Sequence, residues 1–208
     1  VKAVRRAVRD RQRPIRSDLI VGYGARYLRL RAQESEKIVN EARRRFRSHN
    51  AGRKYVVNAI FDALAASHPD GASVSDVRDE LGTNRDVKAA INWMWPVLSP
   101  AMLIHDLYGS KALIASAGIS MTPAERAALY RPWDPDHDAR QVLWTVDDVP
   151  VLDEAFEHLG PRPKKHDLDE IRTYGHIVVD EAQDLSPMQL RMLTRRSLNG
   201  SMTVVGDI

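Results

Sequence analysis

The chain has 208 residues, with 31 Lys and Arg against 28 Asp and Glu, and it contains no cysteine. At 43% apolar and 28% charged residues it has the composition of a globular protein, long enough for one or two domains and a sizeable core. No apolar run approaches the ~20 residues of a membrane span, and the missing cysteines exclude disulfides and thiolate metal sites, which fits a cytoplasmic location.

The net charge of +3 hides an asymmetry. Residues 1–54 carry 17 Lys/Arg against 5 Asp/Glu, and residues 55–208 carry 14 against 23. The basic part includes Arg43, Arg44 and Arg45. Such a stretch attracts phosphates or an acidic protein face, or serves as a solvated helix face packed on a larger protein. Asp18–Leu30 predicts a hairpin with Gly22 and Gly24 at the bend. Helical periodicity follows over 32–48 and 53–67, with an interruption at His49–Gly52. Ser73–Leu81, Gly82-Thr83 and Asn84–Trp95 predict helix, turn, helix. The second helix offers only Arg85 and Lys88 beside Ile91, Trp93, Met94 and Trp95, so a structural hairpin is favoured over a DNA reader.

Short helices are expected over Met102–Tyr108, Lys111–Ala117 and Pro123–Tyr130, the last with Thr122 and Glu125 at capping-box spacing. Arg131–Gln141 (RPWDPDHDARQ) alternates Asp134, Asp136 and Asp138, and its prolines keep it out of helix. An EF-hand fails here, because Ala139 stands where glycine is needed and Thr145 where the bidentate Glu should be. A solvated loop remains, beside which Trp133 is a candidate interface residue. Trp93, Trp95 and Trp144 are expected in the core.

The densest chemistry lies in His176–Asp184 (HIVVDEAQD). A short β-branched run ending in adjacent carboxylates predicts a buried parallel strand with Asp180 and Glu181 at its carboxyl end. Open α/β sheets bind ligands at that edge. One carboxylate there can hold Mg²⁺ and the other can orient an attacking water. Ser186-Pro187 starts a helix over Pro187–Leu198, Asn199-Gly200 ends it, and Met202–Ile208 predicts a second strand ending in Gly206-Asp207. Strand, helix and strand make one βαβ unit with acids at both strand ends.

DEAQD followed by VVGD resembles motifs II and III of superfamily 1 helicases of the UvrD/Rep type. Trp95–Ser110, Leu143–Gly160 (LWTVDDVPVLDEAFEHLG) and Tyr174–Pro187 together resemble the actinobacterial HelD group, helicase-like ATPases that bind RNA polymerase. The resemblance implies ATP and Mg²⁺ as cofactors, with Asp180 holding the metal and Glu181 as catalytic base. It implies that Gln183 and Asp184 couple the nucleotide to neighbouring motifs, and that Gly206 and Asp207 open the motif leading to a γ-phosphate sensor. It further implies RNA polymerase core, through its β and β′ subunits, as partner. In that setting Asp134, Asp136, Asp138, Asp147 and Asp148 are acidic contacts for the polymerase channel. A DNA helicase or translocase of the same superfamily, gripping a DNA or RNA backbone with the basic segment, is the alternative.

The pattern departs from a complete ATPase. No GxxxxGK[ST] occurs, so the phosphate cradle and its lysine are missing; Gly109-Ser110-Lys111 lacks the upstream glycine and the following hydroxyl. The chain starts at Val1 and stops at Ile208, before the motif III glutamine. A piece of a larger protein, without ATPase activity of its own, is therefore expected. The expected fold class is α/β: a mostly helical inserted domain over 1–160, then part of a RecA-like parallel-sheet domain over 161–208.

Overall fold

The computed structural model describes residues 1–132, 142–163 and 171–207. It is an α/β chain, mostly helical, with two small sheets. No helix among the described residues is long and apolar enough to cross a membrane. The chain divides into two compact units. One comprises Val1–Arg5, Ser99–Glu157 and the described part of 164–208; the other comprises Arg6–Leu98 and His158–Pro163. The units do not map one to one onto the expected domains. The short helices after residue 99 cluster with the C-terminal α/β segment instead of with the helices that precede them.

In the second unit, α1 (Lys2–Arg9, which begins in the first unit) is followed by an antiparallel hairpin of β1 (Leu19–Tyr23) and β2 (Arg26–Leu30). Its two-residue turn needs positive φ at the first central position, which Gly24 supplies at φ 54°. Gly22 lies inside β1 opposite Tyr27, so only one of the two glycines expected at the bend is there. Val21, Leu28 and Leu30 point inward with the period of two that one buried sheet face requires.

The helices α2 (Ala32–Arg45), α3 (His49–Ala66), α4 (Val74–Leu81) and α5 (Arg85–Met94) complete that core. Ser35, Val39 and Ala42 repeat along one face of α2, and Val56, Ile60 and Leu64 along one face of α3. Asn84 caps α5 by accepting from the backbone N–H of Asp86 (2.9 Å) and Val87 (3.2 Å). The inward residues of α5 are Val87, Ala90, Ile91 and Met94, as a structural hairpin demands.

The interruption expected at His49–Gly52 is instead the first turn of α3, and the chain breaks at Phe46–Ser48. Packing explains why a glycine sits there. A Cβ on Gly52 would lie 2.9 Å from Trp95 Cζ2. The buried Trp95 ring also stacks on His49, with centroids 5.0 Å apart, and its Nε1–H donates to the His49 carbonyl at 2.6 Å. His49 Nε2 lies 2.6 Å from the Pro96 carbonyl, which can only accept, so Nε2 carries the proton. Nδ1 then accepts from the Gln12 amide at 3.2 Å. Asn50, also buried, donates to the carbonyls of Leu98 (3.0 Å) and Gly160 (2.9 Å) and accepts from Leu98 N–H (3.2 Å). Trp93 is only half-buried: its indole donates to Pro14 O at 2.9 Å, and the Arg13 guanidinium lies 3.6 Å over its ring.

Burial is the main cause that holds the His49 pKa down at about 4, well below the ordinary value of 6.5. Between those values the unfolded chain binds a proton that the folded one refuses, so stability rises with pH across that window and is lost on acidification. Lowering the pH from 7.5 to 5 is expected to cost about 2 kcal/mol through this group. Urea unfolding at the two pH values checks it, and in His49→Gln the pH-dependent loss should fall to under half.

Candidate functional site

The C-terminal sheet pairs β3 (Ile177–Val179) with β4 (Met202–Val204) in parallel, with Ile177 opposite Met202, Val178 opposite Thr203 and Val179 opposite Val204. The ladder runs on past both strands: Val205 N–H donates to Val179 O and Ala182 N–H to Val205 O, each at 2.9 Å. Between the strands lies α10 (Pro187–Arg196). Ser186 caps it, with Ser186 Oγ accepting from Gln189 N–H at 3.3 Å and Gln189 Oε1 accepting from Ser186 N–H at 2.7 Å. The strand–helix–strand unit is therefore present and parallel, with the acids at its carboxyl edge.

That edge has a defined geometry. Asp180 Oδ1 accepts from Glu181 N–H at 3.0 Å. Glu181 takes the left-handed conformation (φ 49°, ψ 48°), the sole non-glycine residue at positive φ among the described residues. A non-glycine residue held there carries conformational strain of about 1 kcal/mol or more. The chain then makes one turn of 3-10 helix over Ala182–Asp184. Gln183 reaches both ways: its Nε2 donates to Glu181 Oε2 at 2.6 Å, and its Oε1 accepts from Asp207 N–H at 3.0 Å. Gly206 permits this crossing, because a Cβ there would lie 2.5 Å from Gln183 Oε1 and 3.0 Å from Ala182 N. The Gln183 amide thus adds a side-chain tie between the DEAQD and VVGD loops to the backbone bond from Ala182 N–H to Val205 O.

The edge is open, and the strand that leads to it is only partly buried, where a buried strand was expected. Asp180, Glu181, Gln183, Asp184, Gly206 and Asp207 are all exposed. Val179 is buried, but Val178 is 68% exposed and Val205 54%. A parallel strand reads as a continuous apolar run when both faces are covered; among the described residues one face of this sheet is open and the other is covered at Val179 but not at its partner Val204. No group of three or more His, Asp or Glu among the described residues forms a closed metal site. The Asp180 carboxylate fits a metal held partly by phosphate and water, as Mg²⁺ is.

The arginines of α10 have a role that the amphipathic pattern concealed. Helix α9 (Val149–Leu159) carries Asp153 (8% exposed) and Glu154 (0%). Arg195 donates to Asp153 Oδ2 through Nε at 3.0 Å and to Glu154 Oε2 through Nη1 at 2.7 Å. Arg191 adds a contact to Glu154 at 3.0 Å, and Arg196 pairs with Asp153. Burial alone would raise the Glu154 pKa, but the hydrogen bonds from Arg195 and Arg191 outweigh it and hold the group at about 2. The legible signal was a pair of adjacent acids, Asp153-Glu154, together with arginines at i, i+4 and i+5 on the helix predicted over Pro187–Leu198.

Other candidates fall elsewhere. Asp148 is a buried structural carboxylate and not an exposed acidic contact: it accepts from Arg131 Nη1 (2.9 Å) and Nη2 (2.7 Å) and from Thr145 N–H and Oγ1 (both 2.9 Å). The Arg131 bond is the main cause that lowers its pKa. Asp147 is exposed. Trp133, Asp134, Asp136 and Asp138 lie outside the described residues. Arg43 is turned inward, with Nη2 donating to Arg9 O (3.3 Å) and Gln12 O, and burial lowers its pKa. Arg44 pairs with Glu41 at the surface, and the Arg45 guanidinium lies 4.9 Å over Tyr55. Ser110 caps α7 (Lys111–Ala117), part of a run with α6 (Pro100–Tyr108) and α8 (Pro123–Leu129). The Lys111 ammonium lies 4.8 Å over Tyr130. That segment is a capped helix start. Thr122 and Glu125 form the expected capping box, with Thr122 N–H donating at 2.6 Å and Glu125 N–H returning a bond at 3.2 Å.

No protein-family model matches the chain, and no curated protein matches it.

Two stability outcomes follow from this geometry. Glu181→Gly removes the left-handed strain at the cost of unfolded-state entropy, so it should be neutral or stabilising by up to about 1 kcal/mol, where glycine ordinarily destabilises. Glu154→Ala leaves Arg191 and Arg195 without their shared carboxylate and should cost about 3 kcal/mol. Denaturant midpoints of the two variants against the parent chain check both.

Proposed function

We propose that the chain is the polymerase-contacting and Walker B portion of an RNA polymerase-binding, helicase-like ATPase of the HelD type, which opens, dissociates or recycles the polymerase. The observation that carries this is the Gln183 bridge. It joins Glu181, at the carboxyl end of a parallel strand, to the backbone of Asp207, at the end of the next strand. A nucleotide-responsive edge needs its two loops mechanically tied, so that charge arriving at one is felt at the other. A RecA-like domain would supply the rest of the sheet, and the exposed Val178 and Val205 are of the type such a sheet would cover.

In this reading Asp180 holds the Mg²⁺ of ATP, and the metal supplies the charge that neutralises phosphate oxygens. Glu181 accepts a proton from the attacking water, with its carboxylate aimed by Gln183 Nε2. Asp184 and Gly206-Asp207 transmit between motifs. The phosphate cradle and lysine must come from a segment outside these residues. A second reading, a superfamily 1 helicase or translocase acting on DNA directly, draws on the basic charge of residues 1–54.

Incubating the immobilised 208-residue chain with purified RNA polymerase core and, separately, with duplex and single-stranded DNA tests the two. Retention of the β and β′ subunits is the expected outcome. Retention of DNA with no polymerase binding, at salt that preserves known polymerase complexes, would replace the first reading with the second.

A further inference from the structure

The second unit contains a cationic groove of about 580 Å³ that no part of the proposed nucleotide edge uses. Arg53, Lys54, Val57, Arg78, Pro161 and Arg162 are among its lining residues, and no carboxylate among the described residues lines it. Two of its cations are fixed in place without being neutralised. Arg53 donates through Nη1 to Ile91 O at 2.9 Å and to Trp95 O, and through Nη2 to Asn92 Oδ1 at 2.7 Å. Arg78 donates through Nη2 to Asn58 Oδ1 at 3.0 Å, and its guanidinium lies 4.8 Å over the Phe61 ring. Carbonyls, amides and a ring satisfy these donors geometrically, yet none carries a negative charge. Lys54 is exposed on the same rim. The first turns of α3 lie in the wall as well, through Asn50 and Ala51.

Preorganised positive charge over a partly apolar floor is the complement of a phosphate on an organic body. A phosphate monoester carries about −1.5 to −2 charges at pH 7, and guanidinium forks match its oxygens. Val57, Pro161 and Pro163 offer apolar surface for a sugar or a ring. We propose that this groove binds a phosphorylated ligand of about nucleotide size, either a free nucleoside monophosphate or the phosphorylated end of a nucleic acid strand. The site is distinct from Arg43–Arg45, whose first member is spent on the backbone of Arg9 and Gln12. It is also independent of Asp180 and Glu181.

Calorimetric titration of the full chain with inorganic pyrophosphate, AMP and a short 5′-phosphorylated oligothymidylate tests this. AMP or the phosphorylated oligonucleotide should bind, with affinity falling as salt rises. Lys54→Glu should weaken that binding at least about tenfold, by removing one charge and adding its opposite. Lys88→Glu makes the same charge change at an exposed residue of α5 that does not line the groove, and should leave binding within about twofold; Asp180→Asn should not change it. Binding of AMP alone assigns a free nucleotide, and binding of the oligonucleotide alone assigns a strand end. Equal loss in Lys54→Glu and Lys88→Glu overturns the proposal, as would failure of all three probes. Binding of an oligoglutamate peptide in place of the phosphate probes would also overturn it.

Discussion

The ion cluster between α9 and α10 is the constraint on which the C-terminal edge depends. No residue of α10 is buried, and Leu190 is 41% exposed. The helix of a βαβ unit is ordinarily held by an apolar stripe; here the contact that orients it runs from Arg191, Arg195 and Arg196 to the buried carboxylates of Asp153 and Glu154. Charges taken out of water repay their desolvation only when geometry and hydrogen bonding are both satisfied. Glu154 meets that condition with two arginines on one oxygen. Because Ser186 caps the same helix immediately after DEAQD, fixing the helix fixes the loop. The clamp also joins residues 99–157 to the α/β segment with which they group, whereas the expected division after residue 160 separates them.

The second unit solves a similar problem by the opposite means. Its apolar core is continuous through the hairpin and α2–α5, and the buried polar residues within it, Ser35, His49 and Asn50, are neutral and paired. His49, Asn50 and Trp95 form one knot in which every donor and acceptor has a specific partner. Burial of a neutral imidazole costs little while its two nitrogens are satisfied, and much once a second proton arrives. Uncharged pairing makes the unit lose stability on acidification through His49, between 6.5 and about 4, while Glu154 in the clamp on α10 stays charged down to about 2.

Local chemistry was legible in the sequence wherever one residue type had one job. Ser186, Asn84 and Thr122 cap the helices they precede, and the parallel βαβ unit and the antiparallel hairpin form where period and punctuation place them. Two kinds of feature were not legible. Contacts across long sequence separation decided the roles of Gly52, Arg43, Arg53 and Asp148, and nothing in their neighbourhoods distinguishes an inward-turned arginine from a solvated one. Gly52 looked like a helix break because glycine weakens helices; it is a helix residue because Trp95 needs the space. The extent of burial at β3 was misjudged for a related reason. Ile177, Val178 and Val179 read as covered on both faces, and coverage depends on neighbours that a three-residue run cannot specify.

The left-handed Glu181 brings these threads together at the candidate site itself. Beside the backbone bond from Ala182 N–H to Val205 O, the side-chain tie between the loops rests on three conditions: a residue after Asp180 at positive φ, a glutamine two places on that reaches both neighbours, and a glycine where the loops cross. A solvated turn would need none of these. Glycine at 181 would relieve the strain and aspartate at 183 would be too short to span from Glu181 to Asp207. Glu181 lies two residues beyond β3, next to Asp180, whose carboxylate accepts from its N–H. The arrangement therefore combines a small amount of local strain with a Glu181 carboxylate held by Gln183 one residue after Asp180, and a metal–nucleotide edge would draw on such a held pair of acids.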